Sequence, residues 1–445
     1  MKRSSFADIL SDMDRKTDRK AAAKFPSLAG IRIPTGLALE QCSSEAAALH
    51  KAYFALRLIS VKCLQARAAV CETNVEPRRH PLEQSESGIA PGGGCEATGD
   101  KQRSTCKVCD LTGGLGIDCW AFSRVFEKVL HNEMNPVLSA AAQENFQSLE
   151  IGNVEFSGFE INADRSDWKS HIESFGPDII YLDPARRSAS GKKVFLLEDC
   201  SPNVLELLPT LLSVSPLVLL KLSPMADISL IAARIRERCI AATGLNCLKM
   251  IQAVGLEGEC KELLCVIDRD WTGGYTVSAV ILATDGGTDA ECSTLPDRAK
   301  KIACRIAEAD EITEGKTLLC PGAVILKTGM QDIICENGPA AKLDRFTQLF
   351  ICDGSVPNEL RAFFSRYRIT ELHPFCKESF KLLGAKYPQA DVTAKNLPLS
   401  SEELRARIVG TGKFPGSGKY HIWGFSSPHG RFLAVCERIH DNQVK

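Results

Sequence analysis

Two short segments of the 445-residue chain combine residue types whose spacing could do chemistry. The first, Asp110-Leu111-Thr112-Gly113-Gly114-Leu115-Gly116-Ile117-Asp118, puts a carboxylate at the end of an apolar stretch and three glycines ahead of a helical pattern. Gly113, Gly114 and Gly116 remove β-carbons where a ligand must approach main-chain N–H groups, and the helix that follows offers its positive end to a carboxylate or phosphate. A dinucleotide loop would offer a similar cradle, but counting G-x-G-x-x-G from Gly114 puts Cys119 at the third glycine. Asp110 would repel a pyrophosphate, yet it could pair with the amino group of a bound amino acid, such as the methionine part of S-adenosylmethionine (SAM). The second segment, Ile179-Ile180-Tyr181-Leu182-Asp183-Pro184-Ala185-Arg186-Arg187, is an apolar strand ending in Asp-Pro. Together the two read as a methyl-transfer site, with Thr112 and the glycines forming the cofactor loop.

Other carboxylates fall where a nucleoside would need them. Lys128 to Asn132 reads as a short strand whose tip carries Glu133, about 23 residues after Asp110 and near the spacing at which an acid takes ribose hydroxyls. A solvated strand-end acid is the alternative. After a third strand around Val154 to Phe159, Asp164 in Asn162-Ala163-Asp164 stands where an adenine amino group would need an acceptor, although these are also ordinary turn residues.

The elements that must position these residues follow from punctuation. Residues 1–65 are helical in pattern and form an N-terminal cap, with Ser43 or Ser44 as N-cap before Glu45. Residues 66–105 are polar and glycine-rich and read as a disordered or flexible insertion. From 106 to 270 short apolar strands alternate with helices, the mark of a doubly wound, Rossmann-like parallel sheet, closed by an antiparallel pair around Gly255-Leu256-Glu257-Gly258. Residues 271–316 form a connecting segment, strand-rich after Trp271 and leading through the turn Asp285-Gly286-Gly287-Thr288 to a helix near 298–309, and two small α+β units are expected at 317–370 and 371–445.

Composition excludes several classes. With 44% hydrophobic and 24% charged residues the chain is of ordinary globular type, and Pro209, Pro216 and Lys221 break its longest apolar region, so no membrane span is expected. Nineteen scattered cysteines behind a polar first 20 residues suggest a reducing, cytoplasmic setting. The lone C-x-x-C, Cys106 to Cys109, lacks a second ligand pair, so no metal is expected.

These motifs, with Lys221-Leu222-Ser223-Pro224-Met225, Glu40 to Glu45 and Asn396-Leu397-Pro398-Leu399-Ser400, resemble the class I SAM-dependent methyltransferases that carry a ferredoxin-like domain and a C-terminal THUMP-like domain. The resemblance spans nearly the whole chain outside 66–105. It implies a seven-stranded methyltransferase core at 106–270, a ferredoxin-like domain at 317–370 and a THUMP-like domain at 371–445. In related amino-methyltransferases an Asp/Asn-Pro-Pro-aromatic motif accepts hydrogen bonds from the target amine, which gives Asp183 and Pro184 that catalytic role. Ala185 and Arg186 replace the second proline and the aromatic, so Arg186 could stack on a base or hold phosphate, with Arg187 beside it. One departure from the pattern is Ala394-Lys395 before Asn396, where an arginine is expected.

Residues 373–445 carry eleven Lys/Arg against six Asp/Glu, a net charge of +5 in a chain of −1 overall. That asymmetry suggests a polyanion-binding end through Lys395, Arg405 and Arg407, the last two on a helix opened by the capping box Ser400 to Glu403. The expected function is SAM-dependent methyl transfer to a base amine of structured RNA, tRNA or rRNA. The alternatives are a methyltransferase of a protein or small molecule, and a non-catalytic RNA-binding protein that retains the SAM fold.

Overall fold

The computed structural model describes residues 19–28, 30–73, 104–186, 197–336, 340–353, 356–410 and 419–440, with no side-chain description for 65–73 and 186. Two sheets organise it. The first contains β1 (Lys107–Asp110), β2 (Lys128–Asn132), β3 (Val154–Ser157) and β4 (Ile179–Leu182). After a two-stranded ribbon, β5 (Ala185–Arg186) with β6 (Cys200–Ser201), it continues with β7 (Leu217–Leu222), β8 (Leu248–Leu256), β9 (Glu259–Asp268), β10 (Thr276–Leu282) and β11 (Thr288–Thr294). Its order is β11-β10-β8-β9-β7-β4-β1-β2-β3.

β1, β2, β3, β4 and β7 run parallel, while β9 runs antiparallel between β7 and β8. β4 is buried throughout and β7 nearly so, because helices cover both faces and apolar residues need not alternate with polar ones. Among those helices are α3 (Ile117–Ser123), α4 (Pro136–Ser148), α5 (Asp167–Phe175), α6 (Val204–Val214) and α7 (Ile228–Thr243). Asn135, whose side chain accepts from the N–H groups of Val137 and Leu138, and Pro136 fix the start of α4 directly after the β2 tip. α1 (Gly36–Gln41) and α2 (Glu45–Thr73) precede the sheet, and the Ser44 hydroxyl accepts from Ala47 N at 3.3 Å to cap α2.

Three expected boundaries move. Helix α2 runs beyond residue 65 to Thr73, and the rest of the expected insertion, 74–103, lies outside the described residues. Residues 106–270 supply seven strands of the first sheet, and residues 276–294 bring it to nine. The segment expected to connect domains supplies β10, parallel to β8, and β11, antiparallel to β10; buried Val277, Ala279, Val280 and Leu282 give the β8 edge an apolar partner. The helix in that segment, α8, covers only Pro296–Lys301.

The C-terminal half is built on one seven-stranded sheet, ordered β13-β14-β12-β15-β18-β17-β16. Its strands are β12 (Thr317–Pro321), β13 (Ala341–Asp344), β14 (Thr347–Cys352), β15 (Phe364–Pro374), β16 (Asp391–Lys395), β17 (Tyr420–Ser427) and β18 (Gly430–Ile439). β15 crosses the expected boundary at 370 and pairs with β12 on one edge and β18 on the other, so a single sheet joins the two expected units. α9 (Ala323–Thr328) ties this half to the first sheet: Val324 and Ile325 share a buried cluster with Ile251 and Ala253 of β8. α10 (Lys377–Lys386) and α11 (Ser401–Val409) cover the other end, and Ser400 and Glu403 close the capping box of α11. Among the described residues no helix is long and apolar enough to cross a membrane.

Candidate active site

At the C-terminal ends of β1, β2, β4 and β7 lies a cleft of about 780 Å³. That is where open α/β sheets bind ligands, because the loops leaving parallel strands diverge there. Its walls come from the loop after β1, the tips of β2, β4 and β7, and the N-terminal segment at Ala38 and Gln41 to Ser43, all within residues 38–261. Thr112, Gly113, Gly114, Glu133, Asp183 and Pro184 line one cavity.

The loop is held from below and from the side. Gly113 N–H donates to Asn132 O at 2.8 Å, Gly116 N–H to Gly113 O at 2.8 Å, and Gly114 N–H to Glu133 Oε2 at 2.9 Å. The Thr112 hydroxyl accepts from Asp183 N–H at 2.7 Å, which ties the two motifs directly. A β-carbon on Gly113 would stand 2.4 Å from the His131 ring, and one on Gly116 would stand 2.6 Å from the Phe146 ring. Both glycines are thus required by close packing of the loop on β2 and α4.

Asp110 is not where its predicted role needs it. It is 1% exposed, behind the loop, with Oδ1 accepting from Thr112 N–H at 2.9 Å and Oδ2 from the Cys119 thiol at 3.3 Å. Burial and the neighbouring Asp118 push its carboxyl up to about 8. Asp110 shapes the loop and does not line the cleft. Asp164 does not line the cleft: its N–H closes a turn onto Asn162 Oδ1 at 3.0 Å, its side chain is exposed, and Phe159 and Ile161 form the nearby cleft wall.

Asp183 meets a cation that the spacing did not reveal. Lys221, on β7, donates to Asp183 Oδ2, and both line the cleft. Burial raises the Asp183 carboxyl, with Lys221 opposing that shift. For Lys221 burial disfavours the charge, but Asp183, Glu262 and Asp118 outweigh it and hold the ammonium above its ordinary range. Ala185 completes this wall. The Arg186 side chain and all of Arg187 lie outside the described residues. Lys395 on β16 and Arg405 and Arg407 on α11 belong to the C-terminal sheet and its helices, and none of them lines the cleft.

Sequence reasoning missed the residues beneath the loop. Asn132 donates to Leu111 O and Phe159 O and accepts from Phe159 N–H and the Ser157 hydroxyl, so one buried amide locks three strand ends. His131 is fully buried, packs against Phe156, and among the described residues has no hydrogen-bond partner at either ring nitrogen. Burial lowers its pKa from 6.5 to about 4. The native ring thus binds a proton less readily than the unfolded chain, so its contribution to stability is present above pH 6.5 and lost as pH falls through about 4. Denaturant unfolding measured across this window should show a shallower acid decline for His131→Leu than for the wild type, the difference approaching roughly 3 kcal/mol. Identical slopes would contradict the burial of a neutral ring.

No protein-family model and no curated protein matches the chain. Among solved structures, a candidate methyltransferase from Porphyromonas gingivalis W83 superposes with a TM-score of 0.72 at 23% identity, over 96% of this chain and 89% of that one. SMU.1697c, a candidate methyltransferase from Streptococcus mutans in complex with SAH, has a TM-score of 0.25 at 11% identity, over 37% of this chain and 89% of its own. Across nearly its whole length, then, the chain shares the fold of the P. gingivalis protein.

Proposed function

We propose that this chain is a SAM-dependent methyltransferase acting on a base amine of structured RNA. The observation that carries the reading is the meeting, in one cleft, of the glycine loop, Glu133 at the β2 tip and Asp183-Pro184 at the β4 tip. The residues present fit the cofactor: the Thr112-Gly113-Gly114 loop along the cleft, the Glu133 carboxylate for ribose hydroxyls, and an apolar wall of Phe159 and Ile161 for a base. When bound, SAM supplies an electrophilic methyl group.

The chain's own groups do the rest. Glu133, which accepts from the Gly114 N–H, would hold the ribose hydroxyls. Asp183, held by Thr112 through its backbone and by Lys221 through its side chain, accepts a hydrogen bond from the acceptor amine and aims the nitrogen lone pair. Catalysis of this kind is orientation, and no strong base is needed. Incubating the full-length protein with labelled SAM and total cellular RNA, followed by nucleoside analysis, tests the reading. Label recovered in a methylated base supports it, and label recovered only in protein or small molecules points to the other substrate classes.

The RNA assignment rests on the +5 charge of residues 373–445. Truncation after Ile369 is not a usable test, because it would cut β15 at the centre of its sheet. Charge reversal at Lys395 and Arg407, which is exposed on α11, should instead lower RNA affinity and make its salt dependence shallower by the counterions no longer released. Filter binding over a salt series reads this. Equal slopes for wild type and variant would leave the charge as a solvated surface.

A further inference from the structure

The loss of Asp110 from the cleft leaves a ligand ammonium without its expected anion, and the same loop offers another. Asp118, in the first turn of α3, lines the cleft while only 9% exposed. Its Oδ2 accepts from the Ser43 hydroxyl at 3.0 Å and the Tyr181 hydroxyl at 2.8 Å, and Lys51 Nζ stands 3.2 Å from Oδ1. Lys51 is fully buried and is shared: it donates to both oxygens of Glu262 at 3.0 Å each and to the Ser43 hydroxyl at 3.0 Å. Glu262 therefore balances the Lys51 charge, and Asp118 keeps a net negative charge at the cleft wall. Burial opposes that charge, but Lys51, Lys221 and the Tyr181 hydroxyl hold the carboxyl below its usual range.

Asp118 thus has what Asp110 lacks. Its carboxyl is held toward the charged form, it lines the cavity, and Ser43, Lys51 and Tyr181 fix its orientation. Ser43 and Lys51 belong to the N-terminal segment, so that segment helps to build the subsite as well as walling it. Resting on the cofactor reading above, we propose that Asp118 is the anionic contact for the primary ammonium of the ligand's amino-acid part, with Ser43 and Lys51 as its positioning residues.

Two probes separate this subsite from the rest of the pocket: S-adenosylhomocysteine, which carries the amino-acid part, and 5′-methylthioadenosine, which lacks it. Calorimetry on the full-length protein should show Asp118→Asn weakening the first at least about tenfold, the scale of one charge-assisted hydrogen bond, while changing the second less than about twofold. Ser43→Ala should weaken the first alone by a smaller factor, and it carries the test if the buried Asn is not tolerated. Asp110→Asn, acting through the loop, should shift both probes together. Wild-type protein that binds both probes while Asp118→Asn and Ser43→Ala weaken them equally would overturn the inference alone. Wild-type protein that binds neither would overturn the cofactor reading and the inference with it.

Discussion

Gly113→Val is expected to abolish detectable SAM binding, a loss of at least about a hundredfold or about 3 kcal/mol, in a protein that still unfolds cooperatively. Even the first carbon added at position 113 would stand 2.4 Å from the His131 ring. That ring cannot step aside, since it is fully buried, packed on Phe156, and one residue from Asn132, which locks the surrounding strand ends. The loop must lift instead, breaking the Gly113 contact to Asn132 and the Gly114 contact to Glu133, and carrying the cradle off the β2 tip. Equilibrium dialysis with labelled SAM, beside thermal unfolding, measures the two effects separately. Retained affinity in a folded variant would remove the loop from the cofactor site.

Asp183→Asn should leave SAM affinity within a few-fold and lower methyl transfer by two or more orders of magnitude. The backbone N–H of residue 183, which bonds the Thr112 hydroxyl, is untouched, so the loop keeps its support. What is lost is the carboxylate that pairs with Lys221 and that is proposed to aim the acceptor nitrogen. About 3 kcal/mol of orientation corresponds to the expected rate loss. Single-turnover transfer of label to RNA gives the rate and dialysis gives the affinity. A parallel loss of both would move Asp183 into the cofactor site.

The parts of this site that were legible in sequence are those encoded locally. A run such as Ile179 to Leu182 followed by Asp-Pro, or Lys128 to Asn132 followed by Glu133, announces both the strand and the residue at its tip, because an apolar run and its terminator are neighbours in the chain. Lys51 is the opposite case. It sits in a helix begun by Ala46-Ala47-Ala48, and its partner Glu262 is 211 residues away, so only the fold makes it a buried cation. Asp110 had the right spacing, but its carboxylate turns back onto Thr112 N–H, whereas Asp164 sits in a turn closed by its backbone N–H on Asn162 Oδ1 and keeps an exposed side chain. Strands after Trp271 and their turn at Asp285 to Thr288 were legible, but their place on the first sheet was not, because β10 pairs with β8 across the intervening β9 and β11 is an edge strand with little buried surface. The unity of the C-terminal sheet was hidden for another reason: β15 is long enough to pair along both edges, and no residue pattern marks where one expected unit would stop.

Hydrogen–deuterium exchange with and without SAM tests most directly that the cleft of the first sheet is the cofactor site. Binding should slow exchange in peptides covering 111–118, 132–135 and 159–161, whose backbone lines or supports the cleft, and leave β12 to β18 unchanged. Protection absent from the 111–118 loop, or confined to the C-terminal sheet, would contradict this account.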